Sequence, residues 1–134
     1  MRYLLDTYVI SDFIKNEPGT QTRLKQTSPT AIGISIITVM ELYYGLALNP
    51  QRAQKVESTI AQFLAAITII PFTQPEAQQA AQIRARLKIQ GQPIGPYDIL
   101  IAATALEHQL IMVTANQREF DRVFGLQTEN WRQS

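Results

Sequence analysis

Residues 1–15 read MRYLLDTYVISDFIK, and this stretch holds the unit from which the fold is built. Residues 2 to 5 form an apolar run of strand length, and residues 7 to 15 carry Val9, Ile10, Phe13 and Ile14 at helical spacing. Asp6 stands at the junction. The same order returns further on: residues 31 to 37 are rich in β-branched side chains and bounded by Pro29, which predicts a second strand. A helix is then expected from Thr38, where Glu41 completes a capping-box pattern and Val39, Leu42, Tyr43 and Leu46 continue at helical spacing.

Working outward, Pro18 and Gly19 break the chain after the first helix, and Asn49 with Pro50 stops the second. Residues 51 to 65 predict a helix with Val56, Ile60 and Phe63 inward, and residues 67 to 70 a third strand. Thr73, Pro75 and Glu76 open a helix that runs through Ile83 and Leu87 to Gly91. GQPIG is a loop, Pro96 occupies a first helical position, and a helix over 97 to 108 precedes a strand over 110 to 114. Short apolar strands alternating with longer helices imply crossover connections and a parallel sheet covered on both faces, so the fold class is α/β. No repeat or low-complexity segment interrupts this pattern, and the Gln-rich patches between 74 and 92 read as helix surface.

A chain of 134 residues, 46% hydrophobic, can bury a real core as one domain spanning 1–134. Twelve Lys and Arg against eleven Asp and Glu leave a net charge of +1, which excludes a strong electrostatic grip on duplex nucleic acid. The absence of cysteine removes disulfides, thiol nucleophiles and thiolate zinc sites. Three apolar residues before Asp6 are too few for a signal peptide, and no run approaches the roughly 18 needed for a membrane span. A cytoplasmic protein without a membrane segment is expected.

Four acids stand beside apolar runs where a solvated charge has no evident place. Asp6 closes Tyr3-Leu4-Leu5, Glu41 follows 36 to 40, Asp98 opens the nearly uncharged 99 to 106, and Glu119 follows 110 to 114 after a turn. Burying an ionised carboxylate is costly unless a positive charge compensates it. Helix capping is the alternative for each acid: Asp6 at the first helix, Glu41 with Thr38, Asp98 in the turn after Pro96, Glu119 after Asn116. Against that, Ile101, Ala102 and Ala105 share a face with Asp98, and the other three follow strands whose carboxyl ends converge on one edge. Carboxylates without histidine or thiolate select Mg2+ or Mn2+, and such an ion suits phosphodiester hydrolysis. His108, the single histidine, is read as a contact with a helix C-terminus. Glu57, Glu76, Glu107 and Glu129 stand in polar contexts and are read as surface charges.

The phrases LLDT (4 to 7), ITVMELYYG (37 to 45), PIGPYDILIAATAL (93 to 106) and VTANQREFDRVFGLQTENW (113 to 131) resemble PIN-domain proteins of the VapC toxin type. The resemblance implies a three-layer α/β/α domain with a central parallel sheet, and Mg2+-dependent endoribonuclease activity within a toxin–antitoxin module. It also implies neutralisation by a cognate antitoxin and a homodimer. Carried over by position, Asp6 and Asp98 become the metal ligands, with Glu41 supporting the ion or its water and Glu119 completing the acidic cluster, in preference to the neighbouring Asp121. Thr7, Thr114 and Asn116 fall where the family places short polar side chains that orient the acids, and each can equally be a strand-end or cap residue.

One departure stands out: Tyr8 occupies a position where the family usually has a small polar residue, often Asn. A phenol there can bond a carboxylate or an RNA phosphate, or crowd the metal, and it motivates an alternative reading as a catalytically weak module that binds RNA or protein. Arg84 with Lys88, and Arg118 with Arg122, are four apart and read as solvated pairs that could hold RNA phosphates if they flank the cleft. Tyr43, Tyr44 and Tyr97 are read as packing or partner-contact residues in preference to base-stacking platforms, and Trp131 as a pin for the C-terminus. A phosphoacceptor role for Asp6 fails, because Tyr8 stands where an aspartate-nucleophile phosphatase needs a second Asp.

Overall fold

In the computed structural model, which describes residues 1–132, β1 (Tyr3–Leu5) leads directly into α1 (Thr7–Ile14) and α2 (Pro18–Gln26). A single 3-10 turn, Pro29–Ala31, precedes β2 (Ile32–Ser35), which is followed by α3 (Ile36–Leu48) and α4 (Pro50–Ala66). Then come β3 (Thr68–Ile70), α5 (Gln74–Gln90), α6 (Pro96–Glu107), β4 (Ile111–Val113), α7 (Gln117–Phe120) and β5 (Thr128–Glu129). The strands form one sheet in the order β3-β2-β1-β4-β5, and every pairing is parallel.

Side-chain alternation along the strands sorts the core into two clusters. Leu4 and Met112 face Ala80, Ile83 and Leu87 of α5 and Ile101, Ala102 and Ala105 of α6. Leu5, Ile34 and Val113 point the other way, onto Val9 and Ile10 of α1, Val39 and Leu42 of α3 and Ile60 of α4. Helices therefore cover both faces, the three-layer α/β/α arrangement expected from the alternating pattern. Because the chain lays down β1, β2 and β3 outward and then returns to β4 on the far side of β1, the strand order reverses between β1 and β4. Open α/β sheets bind their ligands at the carboxyl ends of the strands flanking such a reversal.

The structure corrects several local expectations. Pro18 and Gly19 do not break the chain but begin α2: Pro18 fits the first turn, and Glu17 caps it by accepting a hydrogen bond from the Thr20 amide at 2.7 Å. The helix expected from Thr38 begins at Ile36, because Ser35 at the end of β2 is the cap and its Oγ accepts from the Ile37 amide. The Thr38–Glu41 box therefore does not form, and the buried Thr38 hydroxyl has no hydrogen-bond partner among the described residues.

Glu76 is not a surface charge. It is buried in the capping box with Thr73, where the Thr73 amide and hydroxyl both donate to Oε1, at 2.7 and 2.6 Å. His108 caps α6, as its place near the helix end suggested, and its Nε2 also lies 3.4 Å from Glu76 Oε2. Half-buried Glu129 accepts from Arg23 and from the Trp131 indole. Trp131 is buried edge-on against Tyr3 at 5.2 Å between ring centres, so it does pin the C-terminus, and Arg132 adds two hydrogen bonds to Asp12. No helix among the described residues is long and apolar enough to cross a membrane.

Candidate active site

Asp6 terminates β1 at the reversal point and is buried. It is both a cap and a member of an acidic group: Oδ1 accepts from the Val9 amide of α1 at 2.9 Å, and Oδ2 from Thr114 Oγ1 at 2.5 Å. Thr114 follows β4, so this bond ties the ends of the two strands flanking the reversal. Its hydroxyl oxygen also accepts from the Asn116 amide, fixing the turn into α7. Thr7, the first residue of α1, donates from Oγ1 to Glu41 Oε1 of α3 at 2.6 Å.

On the other side of the cleft, Glu119 has both oxygens engaged. Oε1 accepts from the Gly95 amide at 2.9 Å and Oε2 from Asn116 Nδ2 at 2.8 Å. Glu119 also stands beside Asp98 in the first turn of α6, and the nearness of the two carboxyls helps to raise Asp98. Arg122 assists from outside, where its Nη1 donates to the Pro93 carbonyl and its charge lowers the pKa of Glu119. Asp121, the alternative fourth acid, is exposed and accepts from Thr128 instead.

A cleft of about 270 Å³ joins these groups, lined by Asp6, Thr7, Glu41, Gly95 and Asp98 together with Tyr8, Tyr44 and Tyr97. Two much larger depressions, of about 1060 and 810 Å³, lie over α5 and hold none of the four acids, and one of about 300 Å³ on the other side of Thr7 and Glu41 holds only Glu41. The chemistry follows the acids rather than the volume. Burial pushes the Asp6 carboxyl up to about 6, against the lowering effect of its Thr114 and Val9 hydrogen bonds, and Asp12 and Glu41 add like charge. Asp98 is pushed up to about 7, by burial first and then by Glu119, Glu41 and Asp6. Glu119 moves the other way, below the usual carboxylate range: burial alone would raise it, but its hydrogen bonds from Gly95, Asp98 and Asn116 outweigh that.

The donor set fits a hard divalent cation. All four groups are carboxylates, no basic side chain lines the cleft, and the like charges that raise Asp6 and Asp98 are what a cation would relieve. Among the described residues no three His, Cys, Asp or Glu side chains are gathered into a ready-made metal cage. Mg2+ does not require one, since it keeps several waters and is commonly held by one or two carboxylates.

The remaining candidates separate. Arg84 and Lys88 are exposed and line the 810 Å³ depression, which meets the acidic cleft only at Pro96 and Tyr97. Arg118 is exposed and outside the cleft lining. Tyr8 lines the cleft without a hydrogen bond to any acid and with 60% of its surface exposed, so it is not engaged with the carboxylates. Tyr43, Tyr44 and Tyr97 are exposed and pack no core, which corrects the packing half of their expected role. Gly95 was missed. Its backbone holds Glu119, and its one visible sign was a glycine directly before the helix-opening Pro96.

A parallel sheet with acids at its reversal point defines a PIN-type nuclease fold, and the PIN domain family matches residues 3–125. The chain belongs to the PIN-domain family, in its VapC branch. It is 38% identical over 131 residues to the tRNA(fMet)-specific endonuclease VapC of Shigella flexneri, covering 98% of each chain. Among solved structures, the DNA-bound VapBC from Salmonella typhimurium superposes with a TM-score of 0.87 at 35% identity, over 98% of each chain. The Rickettsia felis VapBC2 bound to a promoter DNA fragment gives 0.89 at 31% identity, over 98% of this chain and 99% of that one.

Proposed function

We propose that this chain is a toxin endoribonuclease of a type II toxin–antitoxin module, which hydrolyses RNA phosphodiester bonds with Mg2+, or Mn2+ in its place. The observation that carries the reading is Asp98, whose carboxyl is raised to about 7 by burial and by three other acids around a cleft without a basic lining. Relatives named as ribonucleases, at 38% identity over nearly the whole chain, support it.

In this reading Asp6 and Asp98 hold the ion, and Glu41 orients the attacking water. Glu119 completes the cluster by fixing Gly95 and so the start of the helix that carries Asp98. Thr7 and Thr114 hold the Glu41 and Asp6 carboxylates in register, and Asn116 does the same for Glu119. A hard cation, when bound, makes water a better nucleophile and neutralises charge on the phosphate oxygens. The exposed Arg84, Lys88 and Arg118 contact RNA phosphates beyond the cleft.

The solved relatives are VapBC assemblies, and a cleft lined by three acids and no basic side chain suits a partner that delivers a cation. The partner is therefore a cognate antitoxin that lays a segment with a basic side chain over the acids. The toxin is a cytoplasmic homodimer, with light scattering as the check. The central experiment is RNA cleavage with added Mg2+ by wild type and by Asp98→Asn. The variant should lose activity at least about 100-fold, and equal activity in both would overturn the assignment.

A further inference from the structure

Tyr8 on α1, Tyr44 on α3 and Tyr97 on α6 come from three separate helices to the lining of one acidic cleft. They are 60, 61 and 51% exposed, and none has a hydrogen bond, ring contact or ion pair among the described residues. The fold does use aromatic residues elsewhere: Tyr3 is buried against Trp131, and Phe13 packs on Phe63. Three rings at one cleft whose faces and hydroxyls serve no structural purpose mark a surface arranged for something that arrives.

The charge of the cleft says what that is. Its lining carries three carboxylates and no basic side chain, and the whole chain has a net charge of only +1, so phosphate attraction contributes little to holding a polyanion there. A metal ion neutralises one phosphate at most, and within the cleft itself, away from Arg84, Lys88 and Arg118, further affinity comes from the uncharged parts of a nucleotide. Every base offers a π-face, and stacking on aromatic side chains is how single strands are held independently of sequence. At about 270 Å³ the cleft is below the usual size of an enclosing small-molecule site, which suits one phosphodiester with its flanking bases lying on the rim.

We propose that Tyr8, Tyr44 and Tyr97 are the base-stacking residues that flank the scissile phosphate. This rests on the nuclease reading above. Tyr8 is then a working part of this chain's substrate track rather than a defect in its active site. Tyr43, equally exposed on α3 but outside the cleft lining, is not part of the track.

The test is the steady-state cleavage of a single-stranded oligoribonucleotide in Mg2+, with 2-aminopurine beside the cleaved bond as a stacking reporter. The same strand annealed to its complement serves as comparison. Each of Tyr8→Ala, Tyr44→Ala and Tyr97→Ala should raise KM for the single strand about 10-fold and weaken the 2-aminopurine quenching. The matching Phe variants should restore both, since the ring and not the hydroxyl acts, and Tyr43→Ala should change neither. Alanine variants with wild-type KM would overturn the proposal, as would Phe variants as impaired as Ala. So would duplex cleavage as efficient as that of the single strand, or alanine variants that lose only inhibition by a protein partner. A wild type that cuts no RNA at all would instead defeat the nuclease reading, so the two failures are told apart.

Discussion

Thr114 Oγ1 donates to Asp6 Oδ2 over 2.5 Å, a bond between side chains 108 residues apart that closes the gap where the sheet reverses its order. The same bond lowers the Asp6 pKa against the effect of burial, so Thr114 keeps Asp6 available as an anion. Thr114→Val, nearly equal in volume, should raise the Asp6 pKa further and weaken Mn2+ binding and cleavage about 10- to 100-fold, the range for a residue that orients a metal ligand. Calorimetric titration with Mn2+ beside a cleavage assay measures both. Unchanged affinity in the variant would show that the bond only joins strands.

Gly95 has an ordinary backbone conformation, φ −57° and ψ 143°, so it is not required for its flexibility. It is required for space: a Cβ there would stand 3.2 Å from Asp98 Oδ2 and 3.7 Å from Glu119 Oε1. Gly95→Ala should therefore fold normally and shift the Asp98 carboxyl by a few tenths of an ångström, lowering cleavage about 10- to 100-fold with little change in thermal midpoint. Cleavage at the wild-type rate would mean that the acids relax around a methyl group.

The raised carboxyls also set the pH behaviour of the metal-free protein. Asp6 at about 6 and Asp98 at about 7, both from an ordinary 3.8, bind their protons more tightly in the folded state than in the unfolded one. Their contribution to stability is complete below about pH 4 and is lost as pH rises through 6 to 7. In a chelator the thermal midpoint should fall across that window, and Asp98→Asn should flatten the fall. A cation has to displace the same protons, so Mn2+ affinity should rise over the same interval. A midpoint that is level between pH 5 and 8 would count against this account.

The acids were legible because Asp6, Glu41 and Glu119 come after apolar runs that end on one edge of a parallel sheet, and Asp98 opens another apolar stretch. The α/β class was legible for the same reason, since strands buried on both faces are nearly continuous in apolar residues. Other features gave no such signal. The helix from Pro18 is polar on most of its surface and opens with residues that also end helices, and β5 is two polar residues, Thr128 and Glu129, paired through Met112 and Val113 of β4. Gly95 escaped because its role is to leave a volume empty beside residues distant in sequence. Tyr44 and Tyr97 were read as packing or partner contacts, and Tyr8 as a residue that bonds or crowds the site, because sequence does not show which aromatic residues the core has left unused.

Glu76 shows the opposite error, a buried acid among Gln and Ala that looked like surface. Both its bonds to Thr73 form within the first turn of α5, and the bond from the Thr73 hydroxyl is the main cause that holds its carboxyl below the usual range. A depressed folded-state pKa contributes stability above the ordinary carboxylate range, and that stability is lost as the solution is acidified below it. Glu76→Ala removes the cap and leaves the Thr73 amide without its acceptor, which should cost about 1–2 kcal/mol. Glu76→Gln keeps an acceptor for Thr73 while losing the charge opposite His108, and should retain more than half of that stability. Because Glu76 is outside the cleft lining, both variants should cleave RNA at the wild-type rate below their melting transitions. Urea midpoints measured alongside kcat separate the two effects. An Ala variant with the wild-type midpoint would remove the capping box from the account of stability, and one with a reduced kcat would extend the active site to the far end of α5.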